Sequence, residues 1–302
     1  MKLLGRYKNG NVDTSIFSDG TKIRHTNDDE FHPAFAENMD IKLCNRCDRG
    51  CRHCHEGSTP DGKLGDIMNE KFLDTLHEHQ ELSCGGGNIL EHPDLIPFLR
   101  KLRDKKVIPN ITLNQKHFED NLDLVNDLVS NNLIFGLGIS LENPTIEFIE
   151  KVKRFPNAVI HVINGIFTES DCAALSDHGL KILILGYKDL RRGSQYHLNA
   201  RDEIGKNQEW LKGELSDLIG RFHVVSFDNL AIEQLSIKER WCELSDKSWD
   251  EFYAGDDGNF TYYIDMVERK FARSSTAPFD KRYDLLDDVD EMFEVIQKEN
   301  YE

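Results

Sequence analysis

The chain has 302 residues, enough for one large α/β domain with a full core or for two smaller ones. Asp and Glu number 54 against 37 Lys and Arg, a formal charge of -17, which argues against a phosphate-neutralising surface for duplex nucleic acid. Seven cysteines, an odd number with four crowded together, are no disulfide framework and point to a metal or redox site in a reducing compartment. With no secretion signal in "MKLLGRYKNGNVDTSIF" and no apolar run of about 18 residues, a cytoplasmic protein without a membrane span is expected.

Two turn signals, "KNGN" at 8–11 and "SDGT" at 18–21, separate short strand-like runs and predict an N-terminal β-meander within residues 1–38. From residue 39 apolar strand-like runs alternate with amphipathic stretches. The strand candidates are "MDIKL", "ELSC", "NITLN", "IFGLGISL", "AVIHVI", "KILILGY" and "HVVSF". The stretches between them, beginning with "NEKFLDTLHEH" and "DLIPFLRKLRDKK", carry helix-like patterning. Such alternation implies right-handed crossovers and a parallel sheet over residues 39–227. Seven strands are too few for a closed eight-fold barrel but suit an open, TIM-like partial one. Residues 228–302 mix aromatics, "DDGN" turn chemistry and an acidic helix candidate, and read as a C-terminal α+β extension packed as a cap or tail.

The cysteine run "CNRCDRGCRHC", residues 44–54, follows the first parallel strand, so its thiols sit at a strand's carboxyl end, where parallel α/β folds place their chemistry. Structural zinc usually takes two C-x2-C knuckles with a longer spacer than Asp48, Arg49 and Gly50. A two-cluster ferredoxin needs a second cysteine run, whereas Cys84, Cys172 and Cys242 stand alone. Cys47, Cys51 and Cys54, without Cys44, leave a 4Fe-4S cube with one iron free of protein ligands, open to a substrate or cofactor.

That spacing, C-x3-C-x2-C after the first strand, resembles the signature of the radical S-adenosylmethionine (radical SAM) superfamily. "CGGGNILEHPDL" at 84–95 is similar to the Gly-rich turn of that family and its following helix, with Asn88 and Ile89 where the family has Glu and Pro. The resemblance implies a partial (β/α)6 barrel, a 4Fe-4S cluster on Cys47, Cys51 and Cys54, and S-adenosylmethionine as cofactor. It implies cofactor contacts at His53, near the adenine; at the Gly86, Gly87 and Asn88 turn, near the methionine amino group; and at the strand ends Asn114, Ser140 and Glu142. Cys44 reads as a spectator thiol. Lys188, Arg191 and Arg192, in the loop after "KILIL", read as solvated loop charges.

The activity implied is reductive cleavage of S-adenosylmethionine to a 5'-deoxyadenosyl radical that abstracts hydrogen from a peptide, protein or small-molecule substrate. An external flavodoxin- or ferredoxin-like one-electron donor is implied with it. The alternative from another class is a non-catalytic zinc or Fe-S scaffold, or an electron-transfer module.

Overall fold

Alternation of buried and exposed residues builds the first element, a three-stranded antiparallel meander of β1 (Leu3–Asn9), β2 (Val12–Phe17) and β3 (Lys22–His25). The computed structural model describes residues 2–241, 249 and 258–299. The meander is anchored by polar side chains that lie fully buried. Asn9 donates to the Phe35 carbonyl at 2.8 Å and accepts from the Ala34 and Phe35 amides, fixing the connection into the next strand. The fully buried Glu37 carboxylate accepts from the Thr14 hydroxyl at 2.7 Å and pairs with Arg24 at 2.8 Å and Lys22 at 3.3 Å.

The second sheet has ten strands. Seven of them pair in parallel in chain order: β4 (Asn38–Cys44), β5 (Glu81–Gly86), β6 (Ile108–Asn114), β7 (Gly136–Ser140), β8 (Ala158–Ile163), β9 (Lys181–Leu185) and β10 (Val224–Phe227). These match the seven strand-like runs of the sequence. Their connections carry helices, including α1 (Leu95–Asp104), α2 (Gln115–Asp120), α3 (Leu122–Ser130), α4 (Ile146–Val152), α5 (Glu169–Leu175) and α6 (Arg192–Arg221), which bends at Ala200. The stretch "NEKFLDTLHEH" departs from its helical pattern and forms one 3-10 turn, Lys71–Asp74. The Thr75 hydroxyl closes that turn on the Phe72 carbonyl at 2.9 Å, and Phe72, Leu73 and Leu76 are buried without a longer helix.

Helix and sheet meet through alternate strand residues. Ile41, Leu82, Ile111, Leu137, Ile139, Ile160 and Ile182 join Phe98, Leu102, Val125, Phe148, Leu175 and Leu215 in one core. Each fully buried aliphatic side chain contributes about 1.5–3 kcal/mol relative to exposure, so this face holds the sheet together. The intervening strand residues point the other way, and many are polar: Ser83, Asn110, Thr112, Asn114, Ser140 and His161. The carboxyl-terminal segment extends the sheet rather than only capping it. Strand β11 (Thr261–Asp265) adds in parallel beside β4, followed by antiparallel β12 (Lys270–Ala272) and β13 (Tyr283–Asp284). A terminal helix, Val289–Glu299, packs Met292, Phe293 and Ile296 into the same core. No helix among the described residues is long and apolar enough to cross a membrane.

Burial pushes the Glu37 carboxyl upward, but Lys22, Arg24 and Thr14 outweigh it and hold the group below the ordinary glutamate range. A depressed folded pKa gives stability that is present above the unfolded value, about 4.3, and lost as pH falls through the folded one. Glu37→Gln should therefore lower the urea unfolding free energy by about 3 kcal/mol at pH 7. The difference from wild type should shrink towards zero near pH 3; a constant difference across that range would contradict the ion-pair account.

Candidate functional site

The loop leaving β4 folds back along its own strand. Cys47 donates its amide to the Thr59 carbonyl at 2.8 Å, Thr59 to Asn45 at 3.1 Å, and Gly65 to Leu43 at 2.8 Å. On its other side the loop is clasped by the Gly-rich turn after β5: the Gly87 amide donates to the Cys44 carbonyl at 2.8 Å and the Asn88 amide to the Arg46 carbonyl at 2.7 Å. A side chain at Gly86 or Gly87 would drive into those same carbonyls of Cys44 and Arg46, and Gly86 has a φ of +116°. These two glycines are required by the chain's own backbone. Gly85 differs: a Cβ there would meet nothing within 4 Å, because this glycine faces a cavity.

That cavity, about 570 Å³, opens at the carboxyl ends of β5 to β9. Within the range usual for small-molecule sites, it has room for a cofactor. Cys47, Cys51, Cys54, His53, Gly86, Gly87, Asn114, Ser140 and Glu142 all line it. Asn88 stands behind the wall, where its side-chain amide donates to Glu91 at 3.0 Å. Cys44 is fully buried in the apolar core with Cys84 and does not line the cavity. Gly85, Thr112, His161 and Tyr187 also line the cavity and carried no signal beyond their place on strands or strand ends.

Electrostatics tie the three lining thiols together. Burial raises the Cys51 thiol to about 11, with the Glu142 carboxylate and the other two thiols adding to it; burial also raises Cys47. Such thiols hold their protons until a metal displaces them. One tetrahedral zinc ion, with Zn–S bonds of about 2.3 Å, holds its sulfurs within about 4 Å of one another. The three thiols do not form so tight a set; among the described residues the ligand atoms lying within 4.8 Å of one another are those of Cys47, Asp48 and His117. The three thiols together are therefore not arranged for a single tetrahedral ion.

Two of the polar strand ends, Asn114 and Glu142, are already partnered. Glu142 receives Arg49 at 2.8 Å and the Asn114 side-chain amide at 2.8 Å. Burial pushes its carboxyl up, but Arg49 and Asn114 outweigh that and hold it ionised. The Gln115 side chain accepts from the Glu142 and Asn143 amides at 2.9 Å each, which fixes the carboxylate's backbone. His53 packs its ring edge-on to Tyr196, with centroids 6.2 Å apart, and burial lowers its pKa.

The basic concentration after β9, although Arg191 is exposed, is engaged by the protein, contrary to its reading from sequence as solvated loop charges. Arg192 donates to the Cys51 carbonyl at 3.1 Å and the Ser58 carbonyl at 2.9 Å. Arg191 pairs with Glu56 at 3.2 Å, and Lys188 donates to Ser275 at 2.9 Å. Two arginines from the start of α6 thus pin the far side of the cysteine loop.

No protein-family model matches the chain, and no curated protein does. Among solved structures it is similar to Streptococcus suis SuiB bound to S-adenosylmethionine, at 14% identity and a TM-score of 0.52. It is likewise similar to SuiB bound to the precursor peptide SuiA, at 12% identity and a TM-score of 0.53. Each match covers 80% of this chain and 60% of SuiB, so the chain spans about 60% of the length of those structures. At that identity the likeness is one of fold.

Hydrogen bonds from a charged donor contribute about 1.5–3 kcal/mol each. Arg192→Ala should therefore speed amide hydrogen exchange over residues 51–58 by at least about ten-fold, with the exchange of β4 to β9 unchanged. Equal exchange in that segment would mean that the loop is held by other contacts.

Proposed function

We propose that the chain is a radical SAM enzyme, its parallel strands forming a partial (β/α)6 barrel over residues 39–227 with accessory segments 1–38 and 228–302. Cys47, Cys51 and Cys54 are the protein ligands of a 4Fe-4S cluster, and S-adenosylmethionine is the cofactor. The observation that carries this reading is the pairing of three mutually interacting thiols with Gly85, whose open face leaves room for a ligand on the same cavity wall. When bound, such a cluster supplies the electron that cleaves S-adenosylmethionine to methionine and a 5'-deoxyadenosyl radical.

The chain's own residues supply position and enclosure. The bare backbone of Gly85 admits close approach of the cofactor's amino-acid end, where strand carbonyls accept from an ammonium group. Ser140, with Asn114 and Glu142 behind it, presents hydroxyl and amide groups to a ribose. Ile163, Ile166, Phe167 and Leu185 form an apolar wall that keeps water from the reacting end of the cavity. A peptide is the substrate class, supported by the fold's likeness to SuiB bound to SuiA. Electrons come from an external flavodoxin- or ferredoxin-like donor, and the setting is cytoplasmic.

A second reading has one observation in its favour: Cys47, Asp48 and His117 are close enough to hold a single ion, with His117 2.7 Å from Asp48. That would make the chain a non-catalytic metal scaffold. Anaerobic reconstitution separates the two, with about four irons per chain expected for a single cluster and one ion for the scaffold. Alanine at Cys47, Cys51 or Cys54 should abolish the cluster, and Cys44→Ala should leave it.

The glycines give the finer test. Gly86→Val should lose iron, because its side chain collides with the cysteine loop. Gly85→Val should keep iron and weaken S-adenosylmethionine binding by at least about ten-fold, the loss of one charge-assisted hydrogen bond. Unaltered binding in Gly85→Val, or no 5'-deoxyadenosine from the reduced, iron-loaded protein, would sink the proposal.

A further inference from the structure

His161 is a polar side chain on the cavity face that no step above uses. It is in register with Ser140, but its imidazole leans back against Gly138, two residues nearer the start of β7. A Cβ on Gly138 would meet the His161 Nε2 at 2.6 Å and the Thr112 Oγ1 at 2.9 Å, so only glycine leaves space for that ring. Thr112 is likewise one cavity-facing position behind Asn114. The two groups therefore converge on the cavity floor, away from the strand ends that carry the thiols. Neither side chain has a hydrogen-bond partner among the described residues, and both line the cavity.

We propose that His161 and Thr112 form a recognition site for a neutral amide group of the substrate, distinct from the surfaces that hold the cluster and S-adenosylmethionine. The inference deepens the enzyme reading above and rests on it for the word substrate. An imidazole without charge offers one donor and one acceptor, and a threonine hydroxyl offers both; an amide carries the matching carbonyl and N–H. Burial pulls the His161 imidazole down to about 4, which keeps it uncharged at neutral pH. Leaving such groups without partners costs free energy that a fitting ligand recovers.

Most of the charges that line the cavity are already engaged. Arg49 and Glu142 neutralise each other, Glu56 is held by Lys42 and Arg191, Arg192 is engaged by loop carbonyls, Asp171 accepts from the Thr168 amide and hydroxyl at the start of α5, and Lys188 donates to Ser275. Arg52, without an ion-pair partner among the described residues, is exposed to solvent. With Ile163 and Leu185 as the adjoining strand residues, a buried carboxylate or ammonium on the floor would have apolar neighbours beside it. Discrimination by such a site works through exclusion as much as attraction.

The test uses the full chain without cluster, labelled in the histidine rings with ¹⁵N, and three probes of similar size: acetamide, acetate and methylammonium. His161→Gln assigns the resonance. Acetamide should shift the His161 ring signals saturably, acetate and methylammonium should leave them, and Thr112→Val should weaken the acetamide response several-fold. The proposal is overturned if the ions shift the signals as much as acetamide does, or if acetamide does nothing to the folded wild type. It is equally overturned if S-adenosylhomocysteine shifts the same signals and displaces acetamide, since the floor would then belong to the cofactor. Because no probe needs iron, failure here is distinguishable from failure of the enzyme reading, which is judged by 5'-deoxyadenosine formation.

Discussion

The site depends on the close approach of two backbones, the turn at Gly86 and Gly87 against the loop at Cys44 and Arg46. Two amide-to-carbonyl bonds hold the approach, and it exists only because neither glycine carries a side chain. The contact fixes where the loop leaves β4 and hence where Cys47 begins. It also sets Cys44 into the core, so that the fourth thiol of the run is buried and does not line the cavity as the other three do. With the turn's second and third glycines occupied in this way, the first, Gly85, is left with its face to the cavity.

A long loop rich in ionisable groups needs its charges matched locally, and here the match reaches across the whole chain. Lys42 projects from the cavity face of β4, almost fully buried, and bridges Glu56 of the cysteine loop at 2.9 Å to Asp265 of β11 at 3.2 Å. Asp265 is itself fixed by the Val267 and Glu268 amides and approached by Arg282 at 3.5 Å. Removing one partner from such a set leaves a buried charge exposed to no solvent, which is far costlier than never building the pair. The carboxyl-terminal strand is thereby tied electrostatically to the cysteine loop as well as by its backbone to β4.

What was legible in the sequence follows the range of the forces involved. The seven parallel strands and the cysteine loop are written in local patterning, apolar runs and fixed spacings that need no partner to be recognised. The placement of β11 is not, because its pairing with β4 joins residues more than 220 positions apart and "TYYID" has no feature that distinguishes a sheet strand from a cap. Lys188, Arg191 and Arg192 show the same limit: a cluster of cations reads as solvated until Ser275, Glu56 and the carbonyls of Cys51 and Ser58 are seen beside them. The stretch at 69–79 failed for the opposite reason. Its apolar spacing is helical, yet three residues suffice to fill the space available, and tertiary packing overrode propensity.

The inner face of the sheet has a physical logic of its own. A closed barrel would fill its interior with side chains, whereas here glycine at 85 and small polar residues at 112 and 140 leave volume unfilled. Such a face gives up packing density and therefore stability, which the helix-facing residues of the same strands must provide. Concentrating the apolar wall at Ile163, Ile166, Phe167 and Leu185 lowers the effective dielectric around whatever the cavity holds. In that setting each properly met hydrogen bond is strengthened and each unmet one is costly, so the polar groups on the face act as selectors as well as contacts. On the proposed reading, a ligand is located from both ends, by thiol-bound iron at the strand termini and by neutral donors and acceptors at the floor. The distance between those ends then limits which atom of the substrate can lie next to the cofactor.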